Sequence, residues 1–310
     1  MRTFSVCCKT MNMKHPHSAA RFFAGTAALA LTLSANVQAE RKPEFNTLGL
    51  DMFTNMPLTL RKSDDLGLKP GLSECHLKVG GKELTFYVFA PKYYDTSKAY
   101  PVVFTFNGTM VGENSWMPCI GQMLEEYEYL CVNPQGQDRA EVDALFAWIK
   151  AQAKVDAARV YAMGSSRGGM FAIDLALTTD YFAAIAPVAA MLTAGRLKED
   201  SPKIPVFQIN GELDRTIPYK GGKGHGREFL GALESARVWA KHNGCNSEPE
   251  VDSSHGGLVL RRYPAGGHGP EIVQCTVLNT GHSVLRIMPD AEVSALTGMV
   301  WQFFARNVKK

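Results

Sequence analysis

The chain has 310 residues, 45% of them apolar, which is enough to bury a large core within one α/β domain. Its formal charge is +3, but residues 1–39 hold four basic residues and no acid, so the rest of the chain carries −1. A nearly neutral body gives no reason to expect nucleic acid or an anionic membrane as a partner.

The first 39 residues have the order of an export signal. A basic stretch ends at Arg21, and an apolar run of 12 residues follows over 22–33. A membrane-spanning helix needs about 20 residues, so this run is too short to be one. Val37-Gln38-Ala39 then offers a small-residue cleavage site. We expect a signal peptide over residues 1–39 and a secreted or periplasmic mature chain without stable membrane association. A stop-transfer anchor and a disordered tail are the alternatives.

Five cysteines remain after residue 39, namely Cys75, Cys119, Cys131, Cys245 and Cys275. In an exported protein these cysteines can form disulfides. Because their number is odd, at least one of them stays a free thiol or pairs with a cysteine of another chain. The disulfides we predict are Cys245–Cys275 and Cys119–Cys131, although spacing alone does not fix connectivity. No CxxC or Cys/His spacing suggests zinc.

Residues 40–73 show weak periodicity and indicate an extension packed on a catalytic domain, which we place at residues 74–310. Short apolar runs predict strands at 77–79, 84–90, 101–106, 129–132, 159–163, 182–189, 204–209, 258–260 and 272–278. Helical spacing predicts helices at 141–153, 170–177, 227–242 and 291–307.

Strands that alternate with helices imply a mostly parallel sheet with helices on both faces, and the site of such a fold lies at the carboxyl ends of the strands. Only 14 residues, 190–203, separate two of the predicted strands at the point where related folds insert a helical cap. The sequence therefore predicts an α/β fold with a mostly parallel central sheet, helices on both faces and no large cap domain.

The candidate nucleophile is Ser166, in Gly164-Ser165-Ser166-Arg167-Gly168. This G-x-S-x-G sequence follows a predicted strand and opens a predicted helix, which is the context that a nucleophile elbow requires. The N–H group of Arg167, at the helix N-terminus, can face a developing oxyanion. Ser165 is the alternative serine, and a glycine-rich turn without chemistry is the alternative to a nucleophile.

The second oxyanion donor is expected in the loop after the strand at 101–106, in Asn107-Gly108-Thr109-Met110. Gly108 lets the backbone approach a substrate closely. We predict the N–H group of Thr109, or that of Met110, as the donor. A simple strand-end turn is the alternative.

The acid and the base are expected after the nucleophile, in the order acid and then histidine. Asp214 follows the strand at 204–209, with Glu212 as its rival. His282 lies in a loop between the last strand and the closing helix, where the base of this fold stands. His268 is the main rival and His255 a third candidate. We predict a Ser166–His282–Asp214 triad.

A set of short motifs has a fairly specific order along the chain. It comprises Tyr87-Val88-Phe89-Ala90-Pro91, Asn133-Pro134-Gln135-Gly136, Gly168-Gly169-Met170, Ala186-Pro187-Val188-Ala189, Ile217-Pro218-Tyr219, Asn243-Gly244-Cys245 and Gly281-His282. In this order they resemble the secreted α/β-hydrolase esterases grouped with polyhydroxybutyrate depolymerases and feruloyl esterases. The resemblance covers about residues 77–307. It implies the same three residues, Ser166, Asp214 and His282, as nucleophile, acid and base.

The chain departs from that family in three places. It has Asn107 where the family usually has histidine before the oxyanion glycine. It has Ser283-Val284-Leu285 where a bulky aromatic residue commonly follows the base. It has Arg167 where a small residue is common after the nucleophile.

The sequence thus predicts an exported serine hydrolase that cleaves small or polymeric carboxylic esters through an acyl-enzyme, with no cofactor and no metal. The resemblance implies polyesters or aromatic-acid esters as substrates. One alternative is a serine peptidase of prolyl-oligopeptidase type, which the 68-residue separation of Asp214 and His282 disfavours. The other is a non-catalytic binding protein on a hydrolase scaffold.

Overall fold

A computed structural model describes residues 59–61, 68–109, 124–266, 270–287 and 290–309. Its centre is an eleven-stranded sheet in the order β1-β2-β3-β5-β4-β6-β7-β8-β13-β12-β11. These strands are β1 (Thr59–Arg61), β2 (Gly71–Val79), β3 (Lys82–Ala90), β4 (Tyr100–Phe106), β5 (Leu130–Pro134), β6 (Val155–Ser165), β7 (Ala184–Val188), β8 (Val206–Gly211), β11 (Glu250–His255), β12 (Leu258–Tyr263) and β13 (Ile272–Val277). A separate hairpin joins β9 (Gly222–Gly224) to β10 (Arg227–Phe229).

The six central strands run parallel to one another, and they are β5, β4, β6, β7, β8 and β13. Antiparallel strands extend the sheet at both edges, with β2 and β3 on one side and β11 and β12 on the other. Helices connect the parallel strands or close the chain, as a parallel sheet requires. They are α1 (Arg139–Gln152), α2 (Arg167–Thr178), α3 (Ala232–Asn243), α4 (Val284–Ile287) and α5 (Asp290–Arg306).

Each face of the sheet has its own apolar core, because alternate residues of a strand point to opposite faces. On one face Phe104 of β4 stacks on Phe146 of α1, with ring centroids 4.5 Å apart. On the other, Tyr161 of β6 stacks on Phe304 of α5 at 4.6 Å. Helices therefore cover both faces, and the predicted α/β-hydrolase fold is confirmed.

No cap domain interrupts the described chain. The connection from β7 to β8, residues 189–205, contains turns and bends but no helix. The carboxyl ends of the parallel strands are consequently not covered by an insertion at this point. The prediction of a fold without a large cap is confirmed.

The predicted helix at 227–242 begins too early. Residues 227–229 form β10, and α3 starts only at Ala232. The glycines before it decide this, since Gly221, Gly222 and Gly226 have φ angles of +82°, +120° and +71°. Such angles suit a tight hairpin and are not helical. The charged residues that resembled a first helical turn belong instead to the hairpin.

The predicted disulfide between Cys245 and Cys275 is wrong, because both residues are thiols. The Cys245 thiol donates to the carbonyl oxygen of Pro270 at 3.2 Å, next to the start of β13. Cys275 lies three residues into β13 from Ile272, about 10 Å farther along the strand. A disulfide needs Cα atoms within about 7 Å of each other. In the other predicted pair, Cys131 is a buried thiol and Cys119 lies outside the described residues.

The predicted signal peptide, residues 1–39, also lies outside the described residues, as does most of the predicted extension at 40–73. Of that extension, β1 pairs with β2 in parallel, and β2 begins at Gly71. The domain boundaries stay predictions.

Candidate active site

Ser166 lies at a strained turn between β6 and α2. Its φ of +52° is in the left-handed region, which is unusual for a residue with a side chain. A Cβ atom on Gly164 would lie 2.4 Å from the carbonyl oxygen of Gly168, and a Cβ on Gly168 would lie 2.1 Å from that of Phe106. Only glycine fits both positions, so the G-x-S-x-G sequence is a steric requirement of this turn.

The side chain of Ser166 is hydrogen-bonded to a histidine that is in turn hydrogen-bonded to an acid. His282 Nε2 lies 2.8 Å from Ser166 Oγ, and His282 Nδ1 lies 2.7 Å from Asp214 Oδ2. The carboxylate accepts from Nδ1–H, so Nε2 is left to accept the serine proton. The structure thus brings together the three residues that we predicted from the sequence.

The carboxylate of Asp214 is fully buried, whereas the side chain of His282 is 25% exposed. Asp214 Oδ1 accepts from the N–H groups of Thr216 at 2.8 Å and Ile217 at 3.0 Å. These bonds leave Oδ2 to His282 and compensate the desolvation of a buried charge. The sequence analysis did not predict these two donors. The pattern is nevertheless that of an Asx turn, in which an Asp side chain accepts from N–H groups two and three residues later.

The rival residues lie elsewhere. Glu212 is exposed, and its Oε2 accepts from the N–H group of Asn279 at 3.3 Å. His255, on the edge strand β11, is paired with Asp252 at 3.2 Å. Ser165 is the last residue of β6, before the turn. His268 lies outside the described residues.

The loop after β4 packs against the start of α2. This follows from the contact described above between Gly168 and Phe106, and a Cβ on Gly168 would also lie 2.7 Å from the carbonyl oxygen of Asn107. Arg167 is the first residue of α2, so its N–H group has no partner within the helix. Thr109 is exposed and lies two residues beyond Asn107. Met110, the alternative donor, lies outside the described residues.

Side-chain amides hold this loop in a way that the sequence did not reveal. Gln137 Nε2 donates to the carbonyl oxygen of Asn107 at 2.5 Å. Asn133 Nδ2 donates to the carbonyl oxygen of Thr105 at 2.9 Å, and Gln135 Nε2 donates to Asn133 Oδ1 at 2.7 Å. Asn133 and Gln135 belong to one of the motifs that carry the family resemblance. Their contacts hold the end of β4, and Gln137 holds the backbone of the loop where an oxyanion donor is predicted.

No protein-family model matches the sequence. Feruloyl esterase B of Piromyces equi is 32% identical over 146 residues, which are 44% of this chain and 27% of that protein. A protein assigned as feruloyl esterase C from Aspergillus clavatus is 24% identical over 227 residues, which are 66% of this chain and 82% of that protein. The chain therefore spans about a quarter of the first relative and about four fifths of the second.

Solved structures agree on the fold. Thermogutta terrifontis esterase 2 matches with a TM-score of 0.54 and 13% identity over 76% of this chain and 94% of that chain. The chain therefore has the α/β-hydrolase fold of these structures. This α/β-hydrolase also matches a Bacteroides ovatus chain assigned as a dipeptidyl aminopeptidase IV, with a TM-score of 0.55 and 14% identity over 77% of this chain and 36% of that chain. Likeness at this identity concerns the fold and not the reaction.

The β9–β10 hairpin of the α/β-hydrolase lies beside the site. Leu230 N donates to Leu192 O at 3.0 Å, and Ala194 N donates to Glu228 O at 2.8 Å, so the hairpin packs on the loop after β7. Beneath it, Phe229 joins a small apolar cluster with Ile217 and with Met170, which lies one turn beyond Ser166. The hairpin thus packs near the start of α2, the helix that follows Ser166.

Among the described side chains, no group of three or more His, Cys, Asp or Glu residues is placed to hold a metal ion. No described helix of the α/β-hydrolase is long and apolar enough to cross a membrane.

Proposed function

We propose that this chain is a serine esterase that hydrolyses carboxylic esters with Ser166 as nucleophile, His282 as base and Asp214 as the acid that orients it. The proposal rests above all on the two hydrogen bonds of 2.8 and 2.7 Å that join these side chains in the order that acyl transfer needs. The similarity to feruloyl esterases supports ester hydrolysis as the reaction.

The proposed reaction has two halves. Ser166 Oγ attacks the ester carbonyl while His282 Nε2 takes its proton, and Asp214 stabilises the imidazolium that forms. The N–H groups of Arg167 and Thr109 stabilise the oxyanion, and the loss of one such donor costs about 3 kcal/mol of barrier. His282 then returns the proton to the departing alcohol. Water, activated by the same histidine, releases the acyl group from Ser166.

We infer aromatic-acid esters and polyesters as the first substrate classes to test, because two relatives are named as feruloyl esterases and no cap covers the described cleft. A site without a lid needs no movement to admit a bulky ester. We also propose export, with a mature chain starting near Glu40. N-terminal sequencing of the exported protein tests this, and a mature chain that still contains residues 22–33 would contradict it.

The reaction class is tested with a chromogenic ester and an aminoacyl 4-nitroanilide. We expect hydrolysis of the ester, weak or no hydrolysis of the anilide, and labelling by a fluorophosphonate probe. An enzyme that prefers the anilide would be a peptidase. A protein that hydrolyses neither substrate and takes up no probe would be a binding protein, and either result would contradict the proposal.

A further inference from the structure

Two arginines lie next to members of the triad in the sequence, and neither side chain has a partner among the described residues. Arg167 follows Ser166, Arg215 follows Asp214, and both are exposed. Among the described residues no carboxylate oxygen lies within 4.0 Å of either guanidinium. No side-chain hydrogen bond engages either one in the described chain.

This lack of partners is confined to the surroundings of the site. The described arginines that have a carboxylate partner are Arg139, Arg159, Arg196, Arg262 and Arg306. Arg261 bonds to Gln274 and Thr276, and Arg237 bonds to Tyr263. The remaining arginines with described side chains are Arg167, Arg215 and Arg227. Two of them adjoin a triad residue in the sequence, and the third lies on the β9–β10 hairpin.

The hairpin and the residue Lys220 before it add further positive charge to this part of the surface. Lys220, Lys223 and Arg227 are exposed, and no described carboxylate lies within 4.0 Å of their charged groups. The acids of the segment are fewer, because Asp214 is committed to His282 and only Glu212 and Glu228 remain. The segment that follows Asp214 therefore exposes more basic than acidic side chains, on a protein whose body is nearly neutral.

We propose that Arg167 and Arg215 form an anion subsite, so that the enzyme prefers esters whose acyl or alcohol part carries a carboxylate. The inference rests on the proposed function, since it assumes that Ser166 cleaves esters. A guanidinium binds a carboxylate through two parallel N–H groups, and these bonds are stronger than neutral ones. Because no described acid holds either arginine, a substrate carboxylate meets no competitor among the described residues.

The test compares pairs of esters that differ in one carboxylate. On the acyl side, mono-4-nitrophenyl adipate is compared with 4-nitrophenyl hexanoate, which has the same number of carbons. On the alcohol side, 4-acetoxybenzoate is compared with 4-methylphenyl acetate. The readout is the ratio of kcat/KM for the anionic and the neutral ester. Enzyme-free rates are subtracted, because a carboxylate can attack its own ester.

The ratio is measured for the wild type, Arg167→Gln, Arg215→Gln and the control Arg262→Gln. Arg262 pairs in the sheet with Val273, near the amino end of β13 and so at the edge opposite the site. We expect the ratio in at least one ester pair to fall roughly 3- to 10-fold in each site variant, the order expected of one partly exposed charged pair. It should not change in Arg262→Gln.

Equal ratios in all four proteins, for both ester pairs, would overturn the inference while leaving ester hydrolysis intact. A wild type that cleaves none of the four esters and takes up no fluorophosphonate would overturn the proposed function, and the inference with it. The neutral esters therefore distinguish the two failures.

Discussion

Gly211 and Gly281 touch through their backbones, and this contact joins the loop of the acid to the loop of the histidine. A Cβ atom on Gly211 would lie 2.3 Å from the carbonyl oxygen of Gly281. Leu213 N also donates to Thr280 O at 2.8 Å. The distance between Asp214 and His282 is thus set by backbone contacts between the ends of β8 and β13, as well as by their own hydrogen bond.

Replacing Gly211 by alanine should push the two loops apart. A displacement of about 1 Å can cost on the order of 100-fold in rate when it separates catalytic groups, so we expect a fall in kcat of that order together with a lower Tm. Gly298→Ala is the matched control, since a Cβ there meets nothing within 4 Å. It lies within α5, where alanine should stabilise by about 0.5–1 kcal/mol. Equal kcat in the two variants would show that the contact does not position the triad.

Asp214→Asn should lower kcat by up to about 10⁴-fold, the loss that this change causes in a Ser-His-Asp hydrolase. The amide of Asn can donate a hydrogen bond to His282 Nδ1. This bond favours the tautomer in which Nε2 carries the proton, and a protonated Nε2 cannot accept the proton of Ser166. Asp252→Asn is the control, because Asp252 also pairs with a histidine, His255, but on the edge strand β11. Steady-state kinetics on one chromogenic ester compares them. A loss of less than about tenfold in Asp214→Asn would contradict the assignment.

Gln137 is predicted to act as a positioning residue for the oxyanion loop. Gln137→Leu removes the donor to the Asn107 carbonyl oxygen while keeping a side chain of similar size. We expect kcat to fall roughly tenfold, part of what the loss of a direct donor costs, with KM little changed because ground-state binding is not involved. Gln302→Leu, at an exposed position of α5, is the control. A change in KM alone would argue for a role in substrate binding instead.

The buried thiols give a prediction about redox state. Burial raises the pKa of Cys131 and of Cys275 to about 12, so at pH 8 only about one in 10⁴ of each is a thiolate. Both should resist iodoacetamide in the native protein and react after denaturation without reductant. Mass spectrometry of the cysteine peptides measures this. A Cys275 that is alkylated only after reduction would mean that the protein forms a disulfide through this residue.

Strands with a strong pattern could be predicted from the sequence, and strands without one could not. The apolar runs of β4 and β6 are buried on both faces, and both strands lie close to where they were predicted. The edge strand β11, Glu250–His255, is exposed along its whole length. It has no apolar alternation to reveal it, and only its hydrogen bonds to β12 make it a strand.

The candidate site shows the same division. Ser166, Asp214 and His282 follow strand ends in a known order, so chain order and the predicted strands together favour them over their rivals. Their catalytic roles stay predictions until tested. Gln137 could not be found in this way, because its contact with Asn107 joins two loops 30 residues apart. The disulfide prediction failed because sequence spacing does not give distance in space. The spacing of Cys245 and Cys275 does not show how far along β13 Cys275 lies from Cys245.

The central claim is that Ser166 is the nucleophile, and mass spectrometry after fluorophosphonate treatment tests it most directly. The wild type and Ser165→Ala should each gain the mass of one adduct and hydrolyse a 4-nitrophenyl ester. Ser166→Ala should gain none and lose hydrolysis, with a Tm that shows an intact fold, because the strained turn depends on the glycines and not on the hydroxyl group. The account would be contradicted if Ser166→Ala still gained an adduct, or if only Ser165→Ala failed to gain one.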